Sequence, residues 1–203
     1  MEEQKEVLTP IIDAKLKSDL YTRLSADDSC GHCVSSLSED EAAAVYFYTT
    51  ENDHLSYKVV NPYLRGECHD INLSNHISWI DSALQKLPNY TEGPLYRGED
   101  SSGSWLDLIN KINARKKISA KDLAYYECGF YMSSTIRKNS PFLYKNVILN
   151  ITTSNSGRLI SHVSAFPEES EVLFQRDSKF IVVGVDNESC QGKLIIHLTG
   201  VNI

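Results

Sequence analysis

Three short segments of the sequence carry side chains whose types and spacing could do chemistry. In the first, residues 94–98 (Pro-Leu-Tyr-Arg-Gly), Arg97 stands beside Gly98. A guanidinium is a fixed fork of donors that suits phosphate oxygens, and a glycine lets backbone approach a ligand closely. Taken alone, this segment is more typical of a surface arginine in a turn.

The other two segments supply hydroxyls and carboxylates. Residues 133–135 read Ser-Ser-Thr, and three hydroxyls can orient other side chains. Residues 168–171 read Glu-Glu-Ser-Glu ahead of an apolar run. In extended chain Glu169 and Glu171 point to the same face, about 6.5 to 7 Å apart, so we expect two carboxylates in one site. Such a pair can divide its work between a sugar cation and an acceptor proton.

The first half of the chain carries helix signals that must position these segments. Residues 38–41 (Ser-Glu-Asp-Glu) are a capping-box pattern and predict a helix through Tyr46. Apolar residues at alternating spacings of four and three predict an amphipathic helix over 73–87, ended by Pro88. Shorter helices are predicted over 55–64 and 105–112.

The second half carries strand signals. Short runs of β-branched and aromatic residues, separated by Ser, Asn, Asp and Gly clusters, predict four strands. These runs are 147–151, 172–174, 180–185 and 194–198. Because their connections are too short for helical crossovers, antiparallel or mixed sheets are favoured. Helices followed by strands predict an α+β fold.

Composition and charge limit the classes of function that the chain could have. The 203 residues, 41% of them hydrophobic and 23% charged, suffice for one sizeable core. A net charge of -7 disfavours bulk binding to nucleic acid. No apolar run is long enough to span a membrane, and the acidic start is unlike a secretory signal. We expect a monomer without a membrane partner, with a helical or linker segment at 1–36 and one domain at 37–203.

The cysteines suggest an alternative chemistry. Five cysteines without framework spacing indicate a reducing destination. Cys30 and Cys33 form a C-x-x-C pair of the kind used by thiol oxidoreductases or zinc half-sites. No apolar strand precedes the pair and no βαβ pattern surrounds it, so an inert pair is the favoured interpretation.

The three segments in this order resemble the ADP-ribosyltransferases of the arginine-serine-glutamate class. The resemblance covers roughly residues 37–199. It includes 37–41 leading to Tyr48-Thr49, 61–66 (Asn-Pro-Tyr-Leu-Arg-Gly), and 157–161 with Ser164. The family's usual middle motif, Ser-Thr-Ser, reads Ser-Ser-Thr here, and the loop after it lacks the usual small-residue run. The resemblance implies N-terminal helices packed on two small antiparallel or mixed sheets that flank an NAD cleft.

The resemblance also implies a role for each site residue. Arg97 would pair with the NAD diphosphate, and the Gly98 backbone would hold the nicotinamide amide. Ser133 would orient Glu171, which would stabilise the oxocarbenium-like transition state. Glu169 would engage the acceptor, and Phe142, with Tyr144 next, is the candidate that stacks on nicotinamide. No metal is required, and NAD is a substrate.

The implied function is mono-ADP-ribosylation of a protein side chain, with arginine the favoured acceptor. The resemblance further implies a bacterial effector or toxin, secreted and acting in the cytosol of a target cell. Three alternatives stay open: an NAD glycohydrolase, transfer to threonine, asparagine or nucleic acid, and a non-catalytic NAD-binding interaction module. Glu169 disfavours simple hydrolysis, because water needs no second carboxylate.

Overall fold

The computed structural model describes the chain in separate stretches. These are residues 9–26, 31–51, 54–69, 71–100, 110, 114, 126–140, 143–152, 157–188 and 193–201. The chain forms two compact units. The first comprises Met1–Pro88, Gly129–Tyr131 and Arg158–Glu171, and the second Asn89–Cys128, Met132–Gly157 and Val172–Ile203.

The helices described belong to the first unit. They are α1 Ala14–Ser25, α2 Gly31–Val34, α3 Glu39–Thr49, α4 Tyr57–Leu64 and α5 Ser74–Lys86. Three predicted helices are thereby confirmed as α3, α4 and α5, with α5 ending two residues before Pro88. Of the helix predicted over 105–112 only Asn110 is described; its backbone is helical and its carbonyl accepts from the Ala114 amide at 3.0 Å. The cysteine Cys30 falls outside the described residues.

Helix α3 is the buried helix of the first unit. Residues 42–45, Ala-Ala-Ala-Val, are fully buried, because three small side chains in succession let neighbouring elements approach the helix from several sides. The predicted capping box is present at its start. The Ser38 hydroxyl accepts from the Glu41 amide at 3.2 Å, and the Ser38 amide donates to Glu41 Oε2 at 2.7 Å.

The Glu41 carboxylate also connects α3 to α5. It accepts from Ser82 Oγ at 2.6 Å and from Lys86 Nζ at 2.7 Å. Burial alone would raise the pKa of Glu41, but the hydrogen bonds from Lys86, Ser82 and the Ser38 amide, with the Lys86 charge, outweigh it and lower that pKa. The ionised carboxylate is therefore a stabilising contact between the two helices.

The strands confirm the α+β class and the mixed pairing. They are β1 Leu95–Glu99, β2 Tyr126–Glu127, β3 Met132–Thr135, β4 Val147–Ile151, β5 Gly157–Leu159, β6 Glu171–Phe174, β7 Lys179–Glu188 and β8 Lys193–Gly200. They are hydrogen bonded in the order β2-β7-β8-β4-β1-β3-β6-β5. Strands β4 and β8 are parallel, whereas β1 is antiparallel to both β4 and β3.

The strand order differs in one respect from the two small sheets expected. The described strands form one continuous hydrogen-bonded sheet, because β1 pairs with β4 on one edge and with β3 on the other. Next to β6, Gly157 is required for space: a Cβ there would lie 2.9 Å from Val172 Cγ1 and 3.1 Å from Phe174 Cε1. The start of β5 can therefore lie close to the side chains of β6.

Among the described helices, none combines the length and the apolar character needed to cross a membrane.

The Glu41 contacts generate a stability prediction. Glu41→Gln should lower the free energy of unfolding at neutral pH by about 2 kcal/mol, because a buried charge-assisted contact is lost. A carboxyl whose pKa is lowered by folding stabilises the fold above its ordinary pKa of 4.5, and that contribution disappears as pH falls through the lowered value. The difference from wild type should therefore shrink at about pH 3.

Urea unfolding followed by circular dichroism measures this difference at both pH values. Glu39→Gln is the matched control, since Glu39 lies in the same first turn and is exposed. Equal unfolding free energies for the two variants at neutral pH would contradict the role of the Glu41 carboxylate.

Candidate active site

Arg97 lies in the middle of β1, where both the strand and its neighbours hold it in place. Its backbone pairs with Leu149 of β4. Its Nε donates to Glu99 Oε1 at 2.5 Å, and its Nη1 donates to the Ser133 carbonyl at 2.7 Å. The side chain is only 24% exposed. These contacts hold the guanidinium plane in one orientation, which a phosphate-binding fork requires.

The tripeptide Arg-Gly-Glu occurs twice in the chain, and the two copies have different surroundings. In the first unit Arg65 pairs with Glu67 through two contacts, at 2.8 and 3.0 Å. That arginine follows α4, and Gly66 has a φ of +73°, in the left-handed region that favours glycine. Arg65 is therefore an exposed turn residue, whereas Arg97 is a strand residue with a half-buried guanidinium.

The other residues predicted to contact NAD are Gly98, Phe142 and Tyr144. Gly98 pairs with Ile148 of β4 in a regular antiparallel register, directly after Arg97. Phe142, the candidate for stacking on nicotinamide, falls outside the described residues. Tyr144, the next candidate, is 82% exposed. The stacking residue is therefore still a prediction.

The Ser-Ser-Thr segment forms most of β3. The structure brings Ser133 and Arg97 together through the Ser133 carbonyl, a backbone contact that the side-chain pattern did not predict. The Ser134 hydroxyl is buried and donates to the Val172 carbonyl at 3.0 Å. Val172 directly follows Glu171 in the chain. Ser134 therefore fixes backbone beside the candidate carboxylate, a role that sequence reasoning missed because it centred on Ser133.

Tyr131, just before β3, is a second residue that sequence reasoning missed. Its side chain is fully buried in the first unit, and its hydroxyl donates to Asp81 Oδ1 at 2.6 Å. Its carbonyl accepts from the Tyr48 hydroxyl at 3.3 Å and from Asn61 Nδ2 at 3.1 Å. Helices α3, α4 and α5 therefore all bind the residue that leads into the Ser-Ser-Thr segment. The family resemblance at Tyr48 and Asn61 was the signal available for this network.

The predicted extended geometry of the two glutamates is wrong. Pro167–Glu169 is a 3₁₀ turn in which the Glu169 amide donates to the Phe166 carbonyl at 3.1 Å. Ser170 then has a left-handed conformation with φ +51°, and Glu171 begins β6. A proline at the first position of the turn presets φ for a tight bend, and the left-handed Ser170 then bends the backbone between the two carboxylates. The alternation of side chains along a strand does not apply to them.

The environments of the two carboxylates differ. Glu171 is only 7% exposed, and its carbonyl accepts from the Ile160 amide at 3.1 Å. Glu169 is partly exposed, and its pKa is raised by burial and then by the nearby charges of Glu168 and Glu51. A raised pKa makes Glu169 a stronger proton acceptor once it is ionised. The arrangement therefore offers one buried carboxylate at the start of a strand and one partly exposed carboxylate, with a raised pKa, on a turn.

Comparisons with known proteins identify the family of the chain. A model of the ADP-ribosyltransferase exoenzyme family matches residues 24–202. The protein Mav of Mycobacterium avium (strain 104) is 30% identical over 165 residues, 80% of this chain and 18% of Mav. The NAD(+)–protein-arginine ADP-ribosyltransferase Tre1 of Serratia proteamaculans (strain 568) is 28% identical over 162 residues, 79% of this chain and 32% of Tre1. The chain thus spans less than a third of the length of either relative.

Solved structures agree on the fold. The crystal structure of ADP-ribosyltransferase HopU1 of Pseudomonas syringae pv. Tomato DC3000 superposes with a TM-score of 0.71 at 23% identity. The superposition covers 91% of this chain and 87% of that one. Since the family match extends over most of the sequence and the fold is shared, the chain belongs to the ADP-ribosyltransferase exoenzyme family.

Proposed function

We propose that this chain cleaves NAD at the nicotinamide–ribose bond and transfers ADP-ribose to an arginine side chain of a protein. Membership of the family supports the reaction class, and the activity in the name of Tre1 supports arginine as acceptor. The observation that carries the proposal is the difference between a buried Glu171 at the start of β6 and a partly exposed Glu169, with a raised pKa, on the turn before it. Two unlike carboxylates suit two tasks, at the sugar and at the acceptor.

Arg97 and Gly98 are the proposed contacts to NAD. A guanidinium that Glu99 and the Ser133 carbonyl already orient loses little conformational freedom when it binds a diphosphate. The Gly98 backbone is proposed to hold the nicotinamide amide, and Phe142 is proposed to stack on the nicotinamide ring. NAD is a substrate of this reaction.

Glu171 and Ser133 are the proposed catalytic pair. In this proposal the Glu171 carboxylate accepts a hydrogen bond from a ribose hydroxyl and stabilises the positive charge that develops as the glycosidic bond breaks. The low exposure of Glu171 strengthens that interaction, because fewer water molecules screen the charge. Ser133 is proposed as the hydroxyl that orients this carboxylate.

Glu169 is the proposed acceptor residue. An arginine side chain keeps its proton at neutral pH, so it becomes a nucleophile only when a base orients it and removes a proton during attack. A carboxylate whose pKa is raised by burial and by neighbouring acids is better suited to that task. The proposed division of labour between Glu169 and Glu171 thus rests on the different surroundings of the two carboxylates. It does not rest on their spacing in an extended chain.

The setting of the reaction is also proposed from the family. We propose a monomeric effector or toxin that is secreted and modifies a protein in the cytosol of another cell. The resemblance described under Sequence analysis implies this setting.

Glu171→Gln should reduce both ADP-ribose transfer and NAD hydrolysis at least about 100-fold, a loss typical of one preorganised electrostatic group. Both rates are measured with labelled NAD on the same folded preparation. Near-normal turnover in this variant would overturn the catalytic role of Glu171 and favour a non-catalytic module.

Glu169→Gln should behave differently. Protein modification should fall at least about 100-fold, because general-base assistance is lost, while NAD hydrolysis should stay within about twofold. Mass spectrometry of the acceptor identifies the modified residue in the same reaction. Equal losses in both rates, or modification of a residue other than arginine, would contradict this assignment.

Arg97→Lys should weaken NAD binding roughly tenfold although the charge is kept, because a lysine cannot make a bidentate contact to a diphosphate. Calorimetric titration with NAD measures the change. Arg65→Lys is the matched control, since Arg65 stands in the same Arg-Gly-Glu tripeptide on an exposed turn. If both variants bind NAD as wild type does, Arg97 is not a phosphate contact.

A further inference from the structure

We propose that Thr49, at the end of helix α3, is a positioning residue for the acceptor carboxylate Glu169. The proposal rests on the proposed function, because it concerns how the acceptor carboxylate is held. Thr49 touches neither carboxylate in its described hydrogen bonds. It acts through the backbone of the segment 160–171, here called the glutamate loop.

The glutamate loop is closed at its base by backbone. The Ile160 amide donates to the Glu171 carbonyl at 3.1 Å, which joins the first and last residues of the loop. A turn follows, in which the Val163 amide donates to the Ile160 carbonyl at 2.9 Å. Ile160 and Val163 are fully buried. The base of the loop, including Glu171, is therefore fixed without a contribution from Thr49.

The middle of the loop is held from outside by α3. The Ala165 amide donates to Thr49 Oγ1 at 2.8 Å. The next amide, of Phe166, donates to the Ser164 hydroxyl at 3.0 Å, and Ser164 is only 4% exposed. Ala165 precedes the 3₁₀ turn that ends in Glu169. The bond between Ala165 and Thr49 therefore joins the residues just before that turn to the end of α3.

The Thr49 hydroxyl donates one hydrogen bond and accepts another, so an aliphatic side chain cannot replace it. Its own proton goes to the Tyr46 carbonyl at 2.7 Å, so the oxygen is left as the acceptor for the Ala165 amide. The side chain is buried, with 6% exposure. Valine has the same shape but neither donates nor accepts, and it would leave the Ala165 amide without this partner. Serine keeps both hydrogen bonds.

The helix that carries Thr49 is a rigid base for this contact. Its start is capped by Ser38, and its last full turn is tied to Tyr131 through the Tyr48 hydroxyl. Glu51, two residues beyond Thr49, is one of the charges that raise the pKa of Glu169. Loss of the Thr49 contact should therefore displace Glu169 and leave Glu171 in place.

Thr50 provides a matched control. Its hydroxyl donates to the Phe47 carbonyl at 2.6 Å, the same local contact that Thr49 makes with Tyr46. Thr50→Val therefore removes a hydroxyl from the same helix end without removing the acceptor of the Ala165 amide. Any effect of weakening the end of α3 should appear in both valine variants.

The experiment compares Thr49→Val, Thr49→Ser and Thr50→Val in the whole chain. Hydrogen exchange of peptides from residues 161–170 measures how firmly the glutamate loop is held by the hydrogen bond between the Ala165 amide and Thr49, here called the tether. This measurement does not require activity. Labelled NAD then gives the rates of transfer and hydrolysis on the same preparations. We expect Thr49→Val to speed exchange in the loop and to lower transfer about tenfold, with hydrolysis within about twofold, whereas Thr49→Ser and Thr50→Val resemble wild type.

The possible outcomes test three points separately: the tether itself, its role in positioning Glu169, and the transfer of ADP-ribose. Unchanged exchange in Thr49→Val, or the same change in Thr50→Val, overturns the tether. Faster exchange with an unchanged ratio of transfer to hydrolysis, or with equal loss of both, overturns the positioning role. A wild-type chain that transfers no ADP-ribose overturns the proposed function and the positioning role with it, while the exchange result still reports the tether by itself. If Thr49→Val does not fold, Thr49→Ala carries the same expectations.

Discussion

Burial of helix α3 is the constraint on which the described structure of the first unit depends. A helix surrounded by other elements must find a partner for each polar group that it takes out of water, since an unpaired one costs about 1 to 3 kcal/mol. The partners chosen here are long-range. Glu41 binds Ser82 and Lys86 of α5, and Tyr48 binds the Tyr131 carbonyl. The requirement to satisfy buried groups thus fixes which segments lie against α3.

The same requirement extends to the second unit at a smaller scale. The Ser134 hydroxyl is buried in β3 and donates to the Val172 carbonyl, so a side chain supports the pairing of two strands. The Arg97 guanidinium, also largely covered, is satisfied by Glu99 and by the Ser133 carbonyl. In each unit, polar groups next to the candidate site residues are therefore hydrogen bonded. Preorganised sites are held by contacts of this kind.

Local patterns were predictable wherever a short stretch of sequence fixes its own structure. The capping box at Ser38 depends on residues three apart, and the stripe of α5 depends on helical periodicity, so both were predicted within two residues. The bend between Glu169 and Ser170 was not, because its acidic residues fit a loop or a strand equally well and the conformation depends on Pro167 and a left-handed Ser170. The Tyr131 network was missed for another reason: its partners lie 50 or more residues away.

The sequence by itself determined the residue types that the chemistry needs, their order along the chain and the family to which the chain belongs. It selected Arg97 over Arg65 only through the family resemblance, since both stand in Arg-Gly-Glu. Only the tertiary structure placed one on an exposed turn and the other on a strand between two neighbours. It likewise raised the pKa of Glu169 by burial, which the spacing of the two glutamates did not predict. The physical reason is that burial and long-range hydrogen bonds depend on residues far apart in the chain, and these set the environment of a charge.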